Sequence, residues 1–417
     1  VNQFAKFAMT ITDRLVRNRS RLPLWLNKLI DSVAKNPDGI AGKIASLVLG
    51  GGAGAVPKAT DVPSTEIRLY IGSTNYAGQG YQWARAMTAS YPGVGARNMA
   101  VELPGGFAFP ADSLVPVAIY NRSKAWQQAE FQAASAFTHV LIEAERPLFG
   151  SLYGRDVARE IAALTAQGVS MAFLSHGTDA RSPRRHLATT PWSHFADSPT
   201  ETAATQADVD LNLALIAAHN LPVFVSTPDL LLDLPSAKWC PVVIDPRAWQ
   251  QSRPSGQQKK VVVAHAPSMG SAKGTHLIDD AVRNLAAQGI IEYRPVSGVA
   301  SADMPAVFRD ADIVLDQFRA GSYGVAACEA MASGRVVVGH VLPDVRRYVR
   351  ESTGRDLPIV EANPTTIAAT ILALVDDRER MRSLGTQGEE FVAQVHSGAL
   401  SAAVLNDNWI HADDLAH

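Results

Sequence analysis

Residues 261–265 read Val-Val-Val-Ala-His, and residues 266–275 continue Ala-Pro-Ser-Met-Gly-Ser-Ala-Lys-Gly-Thr. A short apolar run that passes into small, turn-forming residues reads as a strand buried on both faces. A helix is expected over 275–288. Strand, helix, strand, helix and strand then follow over 291–294, 302–309, 313–316, 323–333 and 336–339. Upstream, the strands are expected at 67–71, 99–103, 139–143, 169–174 and 223–226. Helices over 80–90, 156–167 and 207–218 separate them. Regular β-α alternation predicts parallel sheets covered by helices on both faces. There are two such series, joined by a polar stretch over 246–258 that holds two prolines. The fold class is therefore α/β, with two facing Rossmann-like domains and a cleft between them. Ligand loops belong at the carboxyl ends of the strands. The domains are read as 65–245 and 260–396, with a linker over 246–259 and a final helix over 397–417.

The chain has 417 residues, 47% hydrophobic and 19% charged, the size of two or three domains and the composition of a globular protein. No apolar run reaches the roughly 18–20 residues that a spanning helix needs. A formal net charge of −2 argues against nucleic acid as a partner. Cys240 and Cys328 lie far apart, form no metal-ligand cluster and fit a reducing, cytoplasmic compartment. No signal peptide is read at the first residue. Charge is uneven. Residues 1–60 carry nine basic and three acidic side chains, near +6, which leaves the remainder near −8. Residues 1–64 read as a basic helical extension, with short helices over 4–18, 24–34 and 42–49, followed by the glycine-rich joint at 50–54. Its apolar stripe includes Phe4, Phe7, Leu24, Trp25, Leu26 and Ile30. Basic amphipathic helices either lie on anionic membrane surfaces or pack on the protein or a second copy of it.

Three loops attract chemistry. The first follows the strand over 67–71 and contains Gly78, Gln79 and Gly80. Glycines at a helix start let an anion approach backbone amides. Position 83 is Trp, too large for the third glycine of a dinucleotide fingerprint, which argues against a nicotinamide or flavin site. The second loop contains Ser268 and Lys273; the glycine spacing is not that of a Walker loop, and a lysine is a compact charge suited to phosphate. The third runs from Asp316 through Gly321, Ser322, Tyr323, Gly324 and Val325 to Glu329 on an otherwise small, apolar helix. A carboxylate there needs a partner. Ribose hydroxyls would serve, and so would a nearby basic residue.

Taken together, these stretches resemble the retaining glycosyltransferases of the GT-B fold, family 4 type, over nearly everything from Ile67 onward. The resemblance rests on H-A-P-S-x5-K-G-T, A-D-I-V-L-D-Q, G-S-Y-G-V-A-A-C-E-A-M-A-S-G and P-V-V-I-D. It implies that Glu329 holds the donor ribose and that Lys273 binds the donor diphosphate. It also implies that Gly78, Gln79 and Gly80 lie beside that diphosphate. His176 takes the place of a histidine that touches the donor sugar, with Asp179 and Arg181 on the acceptor or sugar side. Ser268, Gly298, Val299, Gly321, Ser322, Tyr323, Gly324 and Val325 complete the donor site. The implied catalytic set is His176, Lys273 and Glu329. The implied reaction moves a sugar from a nucleotide diphosphate sugar to a glycan, lipid-linked or other acceptor, with retention and without a cofactor or essential metal.

Two positions depart from the family pattern. Gly321 stands where the family has glutamate, and Ser268 stands where it has arginine. Arg319 and Arg181 are the candidates to supply the missing positive charge. These gaps keep two other readings open: a non-catalytic sugar-nucleotide-binding partner of another transferase, and a nucleotide-sugar epimerase. The acid pairs Asp208/Asp210 and Asp310/Asp312 are expected on solvated surface rather than around a metal. His265 reads equally as a cleft residue and as a core histidine. His139, His186 and His194 lack zinc spacing. A homo-oligomer and a peripheral position at the membrane's inner face are further expectations.

Overall fold

The computed structural model describes residues 56–102, 109–250, 253–267, 270–299 and 301–411. The basic extension over residues 1–55 and the expectation for Ser268 lie outside the described residues. Two compact units are present, one of residues 1–84 and 93–171, the other of residues 85–92 and 172–417.

In the first unit, β1 (Ile67–Gly72) is central. It pairs in parallel with β2 (Val94–Glu102) and with β4 (His139–Glu143), and β2 pairs outward with β3 (Ser113–Pro116). β5 (Ser170–Ser175) begins in this unit, where the Ser170 amide donates to Thr138 O at 3.0 Å. Leu69, Ile71, Val140, Leu141 and Ile142 are fully buried, as strands covered on both faces require.

In the second unit, β5 pairs in parallel with β6 (Val223–Val225) and β6 with β7 (Lys238–Trp239). A separate five-stranded parallel sheet follows. It is built from β8 (Val261–His265), β9 (Ile291–Pro295), β10 (Ile313–Leu315), β11 (Val336–Gly339) and β12 (Ile359–Glu361), in the order β12-β11-β10-β8-β9. Its core joins Val261, Val263, Ile313, Leu315, Val336 and Val338 to Ile278 and Val282 of the helix Thr275–Ala287.

Several elements extend the sequence reading. The helix expected over 207–218 is Pro199–Ala218. Ser198 caps it, accepting from the Glu201 amide, and Pro199 opens it, so its start is set by a cap rather than by apolar spacing. The tail helix is Ala399–Leu405, inside the expected range, and π-turns at Val392–His396 and Asn406–Ile410 flank it. This tail returns to the side of β6 and β7. Ser401 Oγ donates to Pro241 O at 2.8 Å, and the Trp409 ring lies 6.4 Å from Phe224. Asp310 is exposed as expected, but Asp312 is fully buried. Asp312 accepts from Arg253 and from the Gly256 and Val262 amides, so it fastens the linker to the second sheet. Asp208 and Asp210 are exposed on their helix.

Candidate functional site

In the first unit the loop after β1 turns through Asn75, Ala77 and Gly78 with positive φ before the helix Gln79–Ser90. The amides of Thr74 and Asn75 donate to Glu143 Oε2 at 3.2 and 3.1 Å, and the Tyr81 amide donates to Asn75 Oδ1 at 3.0 Å. A fully buried carboxylate at the end of β4 therefore takes amides that a glycine-rich loop otherwise offers to an anion. Gly80 is needed for contact: a Cβ there would lie 2.6 Å from Asn98 Nδ2 and 3.0 Å from Glu143 Oε2.

The other described candidates lie in the second unit. After β5, His176 and Gly177 donate their amides to the Asp179 carboxylate at 2.6 and 2.5 Å, so Asp179 organises the turn. Arg181 is 9% exposed and grips Asp229, with Nε and Nη2 each 2.7 Å from Oδ2. Burial pulls the Arg181 pKa down, but Asp229 outweighs it and the net shift is upward. Burial likewise pushes Asp229 up, while Arg181 pulls it down, for a net shift below the usual carboxylate range.

That loop joins β10 to the helix Val325–Ala332. Gly321 has φ +69°, and Ser322 and Tyr323 are buried. The Tyr323 hydroxyl lies 3.3 Å from His396 Nε2. Arg319 is 4% exposed and fully engaged. Its guanidinium donates to Trp192 O at 2.7 Å, to Ser193 O at 2.9 Å and to both Asp197 oxygens at 2.7 Å. Arg319 and Arg181 both carry their own counter-ions, so neither takes the role of the missing family arginine as an unpaired charge. His265 is settled as a core residue. It is 1% exposed, with Nδ1 2.8 Å from Leu315 O and Nε2 2.8 Å from Thr275 Oγ1.

Lys273 sits between β8 and the helix Thr275–Ala287. Its backbone oxygen accepts from the Phe318 amide at 2.9 Å, and its Nζ lies 2.7 Å from Asp316 Oδ1. Glu329 is half-buried, and among the described residues its carboxylate has no hydrogen-bond partner. Burial raises its pKa to about 8, with Lys273 opposing that rise. Gly324 precedes the helix in an extended conformation, without a side-chain cap, and a Cβ there would meet nothing within 4 Å. Uncapped amides, a lysine and an unpaired carboxylate thus converge at the carboxyl ends of β8 and β10. Gly298 and Val299 follow β9 in an exposed turn, Gly298 with φ +69°.

Residues 257–377 match the family described as Glycosyl transferases group 1. The matched residues include all five strands of the second sheet. They also include Lys273, Asp316, the Gly321–Gly324 loop and Glu329. A D-inositol 3-phosphate glycosyltransferase from Kineococcus radiotolerans is 25% identical over 270 residues, covering 63% of this chain and 54% of that protein. The match thus spans about half the length of that relative. Sucrose-phosphate synthase from Thermosynechococcus elongatus superposes with a TM-score of 0.51 at 13% identity. Anabaena HepE, in complex with UDP and glucose, superposes with a TM-score of 0.52 at 11% identity. Each comparison covers 84% of this chain and 98% of the other. At such identity the likeness gives the fold, GT-B, and nothing beyond it. Sequence reasoning missed Asp316, Asp229, Asp197 and Glu143 as partners, since nothing local in the chain announces which acid meets which base. Among the described residues, no group of three or more His, Cys, Asp or Glu could hold a metal ion, and no helix is long and apolar enough to cross a membrane.

Proposed function

We propose that this protein is a retaining glycosyltransferase of hexosyltransferase type that moves a sugar from a nucleotide diphosphate sugar to an acceptor. The observation that carries the reading is Glu329, an unpaired half-buried carboxylate beside an uncapped helix start and Lys273, all within the residues that match that family. In this reading Glu329 accepts from the ribose hydroxyls. Lys273 and the amides after Gly324 face the diphosphate and stabilise the charge it gathers as the sugar leaves. His176 faces the donor sugar. Retention and independence of metal follow from the family resemblance, and no resident cofactor is invoked. The acceptor is a glycan, a lipid-linked sugar or another hydroxyl compound. A basic extension over residues 1–60 would bring the protein to the inner face of a membrane or to a second copy of itself. Sedimentation with anionic liposomes, comparing the full chain with one starting at Asp61, tests that attachment; a full chain that ignores such vesicles at low salt removes it.

A thermal-shift panel of UDP, GDP, ADP and TDP on the wild type and on Glu329→Gln tests the donor site. One base should stabilise the wild type. Above pH 8, where the Glu329 carboxyl has lost its proton, Glu329→Gln should weaken that nucleotide by about 1–3 kcal/mol, the scale of a hydrogen bond to a charged group. Equal affinity in both proteins would remove Glu329 from the site. A second reading, a sugar-nucleotide-binding partner without turnover, is favoured by Gly321 and by the commitment of Arg181 and Arg319 to other acids. Donor hydrolysis by the purified chain separates the two; complete inactivity despite binding favours the partner.

A further inference from the structure

Lys273 does not meet a ligand as a bare charge. Its Nζ is 2.7 Å from Asp316 Oδ1, with the lysine side chain 20% exposed and the aspartate 4%. Asp316 directly follows β10, and its amide donates to Val338 O at 3.0 Å, so the carboxylate is fixed to the sheet. Among the described residues no other group accepts from the Lys273 ammonium, which leaves two of its three N–H bonds for a ligand. The second Asp316 oxygen accepts from no described residue. Two further cations, Arg181 and Arg319, are neutralised by Asp229 and Asp197. The local balance is therefore close to zero before any anion arrives.

We propose that Asp316 is a positioning and charge-matching residue for the donor site: it holds the Lys273 ammonium in place, and its own charge limits how tightly a nucleoside diphosphate binds. This rests on the donor-site reading above. A lysine on a flexible stem is poorly placed unless something restrains it. The restraint is itself an anion, so phosphate must share Lys273 with Asp316 rather than capture it. Weakened hold on the diphosphate favours release of the nucleotide product, a step that often limits turnover.

The test is titration calorimetry on the full chain with the nucleoside diphosphate chosen by the panel and with its bare nucleoside. Asp316→Asn keeps the shape and an acceptor for Lys273 while removing the charge. It should bind the diphosphate about tenfold more tightly, the scale of one water-screened charge a few ångströms away, and leave the nucleoside unchanged. Asp316→Ser removes both charge and restraint, and its gain should be smaller. The ratio of the two affinities is the readout, because a merely structural role would move both ligands together. A diphosphate-to-nucleoside ratio at or below the wild-type value in both variants overturns the proposal. If the wild type binds no nucleoside diphosphate at all, the donor-site reading itself falls, and this proposal with it.

Discussion

At position 321 the backbone has φ +69°, and a Cβ would lie 2.7 Å from Leu342 Cγ and 3.0 Å from Leu342 Cδ1. The Leu342 amide also donates to Gly321 O at 2.9 Å, so loop and leucine are fastened together. The glutamate of the family pattern has no room here; its absence is built into the loop. Gly321→Ala should therefore destabilise the protein by about 1–3 kcal/mol, from left-handed backbone and contact with Leu342 combined. The urea midpoint measures this, and an unchanged midpoint would show that the loop adopts another conformation. Glu329 and Lys273 were legible as candidates because a carboxylate on an apolar helix and a lysine at a helix start are unusual in themselves. The commitments of Arg181 and Arg319 were not, since their partners lie 48 and 122 residues away in the chain.

The helix Val325–Ala332 opens without a capping side chain, at a glycine whose conformation, φ −143° and ψ −161°, any residue adopts. Stability alone would favour Asp, Ser or Thr at that N-cap. Leaving the helix uncapped keeps its amides available to an anion. Gly324→Asp should thus stabilise the free protein by about 0.5–1 kcal/mol while weakening nucleoside diphosphate binding strongly, because the new carboxylate occupies the amides and repels phosphate. Denaturation and calorimetry on the same variant read both effects. Intact diphosphate affinity would show that the helix start is not part of the site. Among the elements, strands such as His139–Glu143, Val261–His265 and Val336–Gly339 were readable to the residue, because apolar runs between turn signals allow little else. The helix Pro343–Thr353 escaped the sequence reading. Only Val345 and Val349 of it are buried, and its three arginines and other polar residues hide the apolar face.

Across the whole molecule, burial sets a pH dependence. Glu160, held by the Leu148 and Phe149 amides, and Glu329 are both pushed up to about 8 by burial. His186, His194 and His396 are lowered to about 4, also chiefly by burial. Above about pH 7.5 the histidines are neutral in both the folded and unfolded chain; between pH 6.5 and 7.5 their residual protonation in the unfolded chain only partly offsets the glutamates. The two glutamates keep their protons in the fold while the unfolded chain has lost them, so stability falls as pH rises from 6.5 to about 8. Below 6.5 the histidines act in the opposite sense, because the unfolded chain takes up protons that the buried rings refuse. The melting temperature should therefore decline between pH 6.5 and 8. The double variant Glu160→Gln/Glu329→Gln should flatten that decline, whatever its absolute stability. An unchanged slope in the double variant would assign the pH dependence to other groups.

The sequence by itself determined the α/β class, the two parallel sheets and the strand-to-helix segments where Lys273 and Glu329 sit. Those depend on local quantities: apolar runs, glycine placement and the cost of a carboxylate among alanines. Tertiary structure alone decided which charges are available. It gave Arg319 to Asp197, Arg181 to Asp229 and Lys273 to Asp316, and it placed Glu143 on the amides of the first glycine-rich loop. It also made His265 and Asp312 structural. The physical reason is common to all of these. Ion pairs and buried hydrogen bonds join groups far apart in the chain, and only the packed sheets bring those groups within 3 Å or so of each other.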